Sequence, residues 1–278
     1  MRSIAWLGVA GLKIGTDEGW ILIDPYFSRH TKFETLFRPL LPKAEAVDPF
    51  IDEHPDIKAI FISHTHSDHA ADIPRFAERT NARVCGSASL GAILRTFDAD
   101  ANFVNLQEMS VVEGNGWKVT AIPSRHGKAI LGKEPLPGEI ERFPKKPRVF
   151  HYRTGAVFNF LVETGGVSIL HFGSAELVES ELLKVLSAPA DLTFFCVPGW
   201  KKGRALERFL GVAPPKVLVP FHYDDFSRPM KRGEFKKVAG ADLDGFLECA
   251  RRTAPETRIE MLKPFEEVEL SGLLGDKL

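Results

Sequence analysis

Cysteine is scarce in this chain of 278 residues, which holds only three: Cys85, Cys196 and Cys249. They are far apart, odd in number and never spaced as CxxC. Neither a disulfide framework nor a zinc site made of thiolates is therefore indicated. We expect reduced, mostly buried thiols in a cytoplasmic protein.

An excess of charge of one sign is also missing, because 36 Lys and Arg face 37 Asp and Glu and leave a formal net charge of −1. This balance, without a groove signature of aromatic and basic residues, argues against a nucleic-acid binder. No apolar run reaches the roughly 18 residues that span a bilayer. Lys13, Asp17 and Glu18 interrupt the apolar N-terminus before it resembles a signal segment. We predict a protein without a membrane span.

What the chain does have is a histidine-rich hexapeptide, His-Thr-His-Ser-Asp-His at residues 64–69, which holds three of its nine histidines. It follows a short apolar run, where a buried strand ends. Imidazole is the commonest ligand of Zn²⁺ and similar ions. In an extended segment His64, His66 and Asp68 point to one side, and His69 approaches from another after the chain turns. The hexapeptide predicts a metal site and not a solvated polar loop.

Strands and hairpins recur along the sequence, with helices between them. Apolar and β-branched runs predict strands at residues 4–9, 20–23, 58–63, 83–85, 103–104, 111–112, 117–122, 157–163, 167–172, 192–197, 216–219 and 258–262. Apolar stripes at helical spacing predict helices at residues 70–80, 90–97, 175–186 and 241–253. Residues 26–55 are predicted to be a long irregular segment. This mixed order predicts two sheets with helices outside them, in one domain of residues 1–278 with two similar halves.

Two further histidines, His126 and His222, each follow a predicted strand. Ligands are expected to gather at strand ends, so both are candidates to join the hexapeptide. His171 lies inside a predicted strand, whereas the remaining histidines, His30, His54 and His151, lie in loops without such a position.

The hexapeptide resembles the HxHxDH motif of the metallo-β-lactamase superfamily of αββα hydrolases, and the order of flanking elements matches along nearly the whole chain. Shorter stretches are similar to the branch that contains ascorbate-phosphate lactonases and N-acyl-phosphatidylethanolamine phospholipase D. They are WLG at residues 6–8 with ILIDP at 21–25, SRHG at 124–127 and PFHY at 220–223. The resemblance implies an α/β (α+β) fold, a four-layer αββα sandwich of two mixed β-sheets flanked by helices.

The resemblance also implies a two-metal site. His64, His66 and His126 would hold one ion, and Asp68, His69 and His222 the other, with Asp68 and His69 as the candidate catalytic residues. A bridging water would attack the substrate, since a bound metal lowers the pKa of water from 15.7 to about 7. Asp24 would orient a ligand imidazole, or else be a turn residue before Pro25. Zinc is the expected metal, with manganese or iron as alternatives.

One departure from the family concerns the usual Gly-Asp-Thr, whose Asp bridges both metals and which stands here as Gly173-Ser174-Ala175. With Asp68 as the sole carboxylate the centre keeps more positive charge, and a neutral serine hydroxyl bridges weakly. We predict that at least one ion binds weakly, so that the site uses one or two divalent ions, or uses Ser174 through a water. His171 is a weak ligand candidate, and a hydrogen-bonded core histidine is the favoured interpretation.

Residues 127–154 are rich in Pro, Gly, Lys and Arg and directly follow a candidate ligand. We expect them to form a lid that admits an anionic small molecule, the alternative being a solvated excursion. His151, Tyr152 and Tyr223 are candidate substrate contacts or proton donors.

The predicted function is a metal-dependent hydrolase of lactonase or phosphodiesterase type, acting on a small or lipid-like ester, lactone or phosphodiester. The alternative is a degenerate member of the fold that binds a metal or ligand without turnover. The oligomeric state is left open.

Overall fold

Two mixed β-sheets pack against each other, and helices cover their outer faces. The computed structural model describes residues 3–128, 132–174, 176–229 and 235–275. The arrangement confirms the αββα sandwich expected from the sequence.

The first sheet combines strands from the N-terminal part of the chain with one from the C-terminal end. They are β1 (Ser3–Gly8), β2 (Gly11–Gly15), β3 (Trp20–Ile23), β4 (Ile57–Phe61), β5 (Arg83–Gly86), β6 (Phe103–Asn105) and β14 (Glu267–Glu269). Their order is β14-β1-β2-β3-β4-β5-β6. The pairs from β14 to β3 are antiparallel, and those from β3 to β6 are parallel.

The second sheet repeats this pattern of pairing. Its strands are β7 (Val111–Gly114), β8 (Trp117–Pro123), β9 (Phe158–Thr164), β10 (Val167–Phe172), β11 (Leu192–Cys196), β12 (Val217–Phe221) and β13 (Arg258–Ile259). In the order β7 to β13, three antiparallel pairs are again followed by three parallel ones. The two sheets therefore give the molecule two halves of similar topology.

Nine helices connect the strands in the described part of the chain. They are α1 (Lys32–Phe37), α2 (Ala44–Glu53), α3 (Ser67–Ala70), α4 (Ile73–Arg79), α5 (Ala88–Thr96), α6 (Glu179–Val185), α7 (Ala205–Val212), α8 (Leu243–Thr253) and α9 (Leu270–Leu274). Short 3-10 turns occur at Val149–His151 and Lys202–Arg204. Within the described ranges no helix has the length and apolar character needed to cross a membrane.

Neighbouring residues of a central strand pack into different cores. Ile21 and Ile23 face the second sheet, whereas Leu22 packs against the helices outside the first sheet. Phe61 of β4 likewise meets Phe160 of β9 across the sheets, with ring centroids 5.6 Å apart. Side chains of a strand alternate between the two faces of the sheet. Because both faces are covered, these strands are apolar at successive positions.

The prediction of an irregular segment at residues 26–55 is wrong, because this stretch contains α1 and α2. The side chain of Thr31 accepts the backbone N–H of Glu34, whose carboxylate accepts the N–H of Thr31 in return, a capping box that starts α1. α2 contains Pro49 and still buries an apolar face that includes Phe50. The prolines in this stretch obscured the helical spacing of its apolar residues.

Other differences are shorter. β2, β14, α3, α7 and α9 were not predicted, and the helix predicted at residues 70–80 corresponds to α4, which begins at Ile73. β2 was missed because Lys13 interrupts its apolar pattern, although this side chain is buried and its Nζ pairs with Glu267 at 2.7 Å. The strand predicted at residues 258–262 ends at Ile259. The helix predicted at residues 175–186 begins at Glu179, and Ala175 lies outside the described residues.

Candidate metal centre

Six side chains from three strand ends meet at one mouth between the two sheets. The hexapeptide follows β4 of the first sheet, whereas His126 follows β8 and His222 follows β12, both in the second sheet. They form two trios, His64, His66 and His126, and Asp68, His69 and His222, in each of which the candidate ligand atoms lie within 4.8 Å of one another. The rings of His64 and His69, 3.9 Å apart between centroids, join the trios.

In the first trio, one ring nitrogen of each histidine is hydrogen-bonded to a neighbouring group of the protein. The other ring nitrogen is left for the other members of the trio. Nδ1 of His64 lies 3.0 Å from Ser63 Oγ, Nε2 of His66 donates to the carbonyl of Pro135 at 2.9 Å, and Nδ1 of His126 donates to that of Gly127 at 2.7 Å. Nε2 of His64 and Nδ1 of His66 then face each other at 3.0 Å. Two nitrogen lone pairs at this distance repel each other unless a proton or a cation lies between them.

The pKa values of these histidines favour a metal cation over a proton at this position. Burial lowers the pKa of His64, His66 and His126, and the neighbouring imidazoles lower the pKa of His64 and His66 further. All three rings are therefore neutral near pH 7, which is the form in which imidazole binds a metal.

The second trio adds a carboxylate. Asp68 Oδ2 lies 3.8 Å from His69 Nε2 and 3.6 Å from His222 Nε2. Burial alone would raise the pKa of Asp68, but the two imidazoles outweigh burial and hold it below its ordinary value. Burial lowers the pKa of His222. The trio thus offers an anion and imidazole nitrogens, a donor set that suits a divalent transition metal.

A buried hydrogen-bond network positions His69. Asp24 accepts the Nδ1–H of His69 at 2.9 Å and the backbone N–H of Ser63 at 2.7 Å, and the Ser63 hydroxyl also donates to it. Asp24 is fully buried at the end of β3. The carboxylate therefore keeps the His69 proton on Nδ1 and leaves Nε2 free as a lone-pair donor, the arrangement typical of metal-bound histidine.

Glycine is required next to this network. A Cβ added at Gly173 would lie 2.7 Å from Ser63 Cβ and 3.0 Å from Asp24 Oδ2, and contacts this short displace their neighbours. The chain after β10 thus approaches the carboxylate as closely as a residue without a side chain permits.

Two residues of the centre have backbone conformations that non-glycine residues rarely adopt. φ is +45° at Asp24 and +64° at His222. Left-handed conformations cost about 1–2 kcal/mol for such residues and cluster at functional sites. Both residues stand directly after a strand, and there the Asp24 carboxylate lies beside His69 and the His222 ring joins the second trio.

The comparisons with known proteins agree with this geometry. Residues 19–223, well over half of the chain, match the family model described as the beta-lactamase superfamily domain. The chain belongs to the metallo-β-lactamase superfamily. It is 25% identical over 265 residues to a UPF0173 metal-dependent hydrolase of Polynucleobacter asymbioticus, covering 92% of this chain and 85% of that protein.

Solved structures of other proteins show a similar fold. One neighbour is Igni18, a metallo hydrolase from Ignicoccus hospitalis, with a TM-score of 0.62, 17% identity and coverage of 96% of this chain and 97% of the other. Another is a possible metal-dependent hydrolase from Veillonella parvula, with a TM-score of 0.63, 14% identity and coverage of 97% and 100%.

Ser174, the residue at which the sequence resemblance leads us to expect a bridging Asp, is hydrogen-bonded to the loop of His126. Its Oγ accepts the backbone N–H of Gly127 at 2.9 Å and donates to the carbonyl of Arg125 at 3.3 Å. The hydroxyl proton is thus used within the protein, although the residue also borders the cavity of the site.

His171 lies in the core and belongs to neither trio. Its Nε2 donates to the carbonyl of Ala10 at 2.8 Å, and its ring packs against Phe221. This placement agrees with a hydrogen-bonded core histidine and gives no support to a ligand role.

A cavity of about 530 Å³ opens above the two trios. Apart from the candidate ligands its walls are mostly apolar and include Pro135, Leu136, Val149, Pro198, Phe226 and Val238. Gly127 and three of these wall residues belong to residues 127–154, so part of this segment lines the cavity, and its role as a lid stays a prediction. However, no Lys or Arg is among the described residues that line the cavity. The expectation of an anionic substrate stays a prediction without support from these walls.

The structure does not bring the three candidate substrate contacts into this cavity, and we no longer assign them that role. Tyr152 is buried, with its hydroxyl donating to the carbonyl of Leu40 at 2.7 Å. Tyr223 is buried and packs on Trp6, with ring centroids 5.1 Å apart. His151 is partly exposed and accepts the N–H of Arg148.

Sequence reasoning missed His30 and Tyr26, which do line the cavity. The signal was available in their place within a long segment directly after Asp24, since long connections in compact domains are often functional. Tyr26 accepts the backbone N–H of His30 through its hydroxyl at 2.9 Å. Nε2 of His30 is buried and has no hydrogen-bond partner in the described part of the chain.

Proposed function

We propose that this protein is a metal-dependent hydrolase that cleaves an uncharged carboxylic ester or lactone carrying an apolar group. The observation that carries the proposal is the position of the two ligand trios at the floor of a cavity with mostly apolar walls. The relatives that are called metal-dependent hydrolases support the reaction type.

The proposed ligands are His64, His66 and His126 for one divalent ion and Asp68, His69 and His222 for a second, with zinc, manganese or iron as the metal. A bound ion lowers the pKa of water to about 7 and polarises a carbonyl oxygen. The protein contributes neutral imidazoles, and it contributes Asp68 as an anion placed to accept the proton of the attacking water at a carboxylate oxygen. Asp24 orients His69.

The cavity walls favour this substrate class over a phosphodiester. Leu136, Val149 and Phe226 exclude water and bind apolar groups, and an apolar wall stabilises no diester phosphate by charge. Arg and Lys are the usual partners of phosphate oxygens, and the described walls contain neither.

The test compares kcat/KM for p-nitrophenyl esters of increasing acyl length, a panel of lactones and bis-p-nitrophenyl phosphate, each with Zn²⁺, Mn²⁺ or Fe²⁺. We expect turnover of the carboxylic substrates, a rise with acyl length and a loss of at least about 100-fold in His126→Ala. Leu136→Ala should lower kcat/KM for long acyl chains about tenfold more than for short ones. Leu183→Ala is the matched control, because this exposed leucine is not among the residues that line the cavity. A preference for the phosphodiester would contradict the substrate assignment.

One observation favours a second candidate, metal or ligand binding without turnover. Ser174 stands where the sequence resemblance leads us to expect a carboxylate, and its hydroxyl is hydrogen-bonded to the loop that carries His126. Stoichiometric metal binding together with no hydrolysis of either substrate class in any metal would support this second candidate and reject the first.

A further inference from the structure

Large apolar side chains that stand in solvent are concentrated beside the mouth of the cavity. Phe33, Leu36 and Phe37 of α1 and Phe150 of the 3-10 turn are 60%, 65%, 57% and 55% exposed. We call these four residues the apolar rim. Single exposed apolar residues are normal on a protein surface, but a contiguous group usually marks an interaction site.

The two segments that carry the rim lie side by side. The backbone N–H of Leu40, just after α1, donates to the carbonyl of Pro147 at 2.7 Å, and the Tyr152 hydroxyl donates to the carbonyl of Leu40. Thr35 of α1 and Val149 of the 3-10 turn both line the cavity above the candidate metal centre. The rim therefore borders the opening of the cavity.

Positive charge flanks Phe150 of the rim along the sequence. Residues 142–162 contain no Asp or Glu. The same stretch holds five exposed cations, Arg142, Lys145, Lys146, Arg148 and Arg153, and none of them has an ion-pair partner among the residues that the structure describes. Glu34, the acidic residue of α1, is paired with Lys43 at 2.9 Å.

We propose that the apolar rim docks the protein on an anionic phospholipid surface. Phe and Leu side chains enter the boundary between headgroups and acyl chains, and neighbouring Lys and Arg bind the anionic headgroups. The two signals together provide reversible binding without a membrane span. This binding does not depend on the proposed reaction.

The charges argue against a second copy of the chain as the occupant of this surface. A two-fold dimer contact places the same patch of each subunit against the other. Such a contact would bring the cations of residues 142–153 close to their own copies, and like charges across an interface are unfavourable.

Vesicle co-sedimentation of the full chain tests the proposal, with phosphatidylcholine vesicles alone and mixed with phosphatidylglycerol. We expect binding to the mixed vesicles, weakened at least about tenfold by the double variant Phe33→Ser with Phe37→Ser. Leu183→Ser with Val212→Ser is the matched control, because these residues are also exposed, at 51% and 44%, but lie outside the rim. All four positions are exposed, so we expect an unchanged thermal midpoint in both variants.

The charge contribution is tested separately. Lys145→Glu with Lys146→Glu should weaken binding to the mixed vesicles, and added salt should weaken it in the wild type, because salt screens surface charge. The proposal is overturned if the wild type binds neither vesicle, or if binding is the same in the rim variant. It is equally overturned if the rim variant abolishes a dimer while no vesicle binding is detected, since the occupant would then be a second copy.

Discussion

The Nδ1–H of His69 donates to the carboxylate of Asp24 across 2.9 Å, and neither side chain reaches solvent. Burial disfavours a charged imidazole, but the carboxylates of Asp24 and Asp68 outweigh burial and raise the pKa of His69 above its ordinary value. The pair fixes which nitrogen of His69 carries its proton. The other nitrogen faces Asp68 and His222.

Asp24→Asn should weaken metal binding about 10–100-fold, the usual effect of removing a carboxylate behind a ligand histidine. The amide can turn its N–H toward His69 Nδ1, which shifts the His69 proton to Nε2 and blocks the proposed ligand atom. Competition with a chelator, followed by metal analysis, measures the loss. Asp191→Asn is the control, since Asp191 accepts hydrogen bonds from Ser168 outside both trios. Equal affinities in the wild type and Asp24→Asn would contradict the role of Asp24.

Gly173→Ala should lower the free energy of unfolding by about 1–3 kcal/mol, because a Cβ there overlaps Ser63 and crowds Asp24. Metal retention should fall with it. Gly211→Ala is the matched control, because a Cβ at Gly211 in α7 has nothing within 4 Å. There, alanine should be neutral or stabilising by up to about 1 kcal/mol. Urea denaturation of both variants decides, and similar effects at the two positions would refute the close-approach argument.

The number of tightly held ions should respond to Ser174. We expect wild-type protein to retain fewer than two ions per chain after dialysis, since the centre has Asp68 as the only carboxylate in the two trios. Ser174→Asp should increase retention by adding a second anion, provided that the loop at Gly127 tolerates the loss of its hydrogen bond. Ser174→Ala separates these effects, because it removes the same hydrogen bond and adds no charge. Two ions retained by the wild type would show that the weak-site prediction is wrong.

The free energy of unfolding should fall at acidic pH, and His30 should contribute to this loss. Burial, assisted by the charge of Lys43, lowers its pKa from 6.5 to about 4. Between these values the unfolded chain binds a proton that the folded protein does not, so this contribution is present above about pH 6.5 and is lost as the pH falls toward about 4.

His30→Asn should therefore reduce the loss of stability between about pH 7 and about pH 4.5, as measured by urea denaturation. Metal-free protein is used for wild type and variant, so that the candidate ligand histidines contribute equally to both. His151→Asn is the control, since its ring is partly exposed. An unchanged pH dependence in His30→Asn would remove His30 from the explanation.

The sequence was sufficient to predict those candidate ligands of the centre that lie at strand ends. The carboxyl ends of parallel strands lie at one edge of a sheet, so a histidine within a few residues of the end of β4 or β12 is expected near that edge. The two hairpins of the second sheet, β7 with β8 and β9 with β10, were also within reach, because turn residues such as Gly165 and Gly166 separate β9 from β10.

The walls of the cavity could not be predicted in this way. Val149, Leu136 and Phe226 come from loops whose paths depend on tertiary contacts, such as the hydrogen bond from His66 to the carbonyl of Pro135. Closeness in sequence also misled the assignment of Tyr223, which is adjacent to His222 in the chain but packs on Trp6 in the core. The family resemblance led to Asp24, but the fixing of imidazole protons by the carbonyl groups of Pro135 and Gly127 depends on atoms that no spacing rule identifies.

Each trio draws two members from the hexapeptide on the first sheet and its third member from the second sheet. Neither half of the molecule can complete a trio alone. An ion bound here would therefore link the two sheets as well as take part in the reaction. A chain whose sheets had packed in the wrong alignment would be unable to bind it. Metal binding would in this way be restricted to molecules whose two sheets are correctly packed, before any substrate binds.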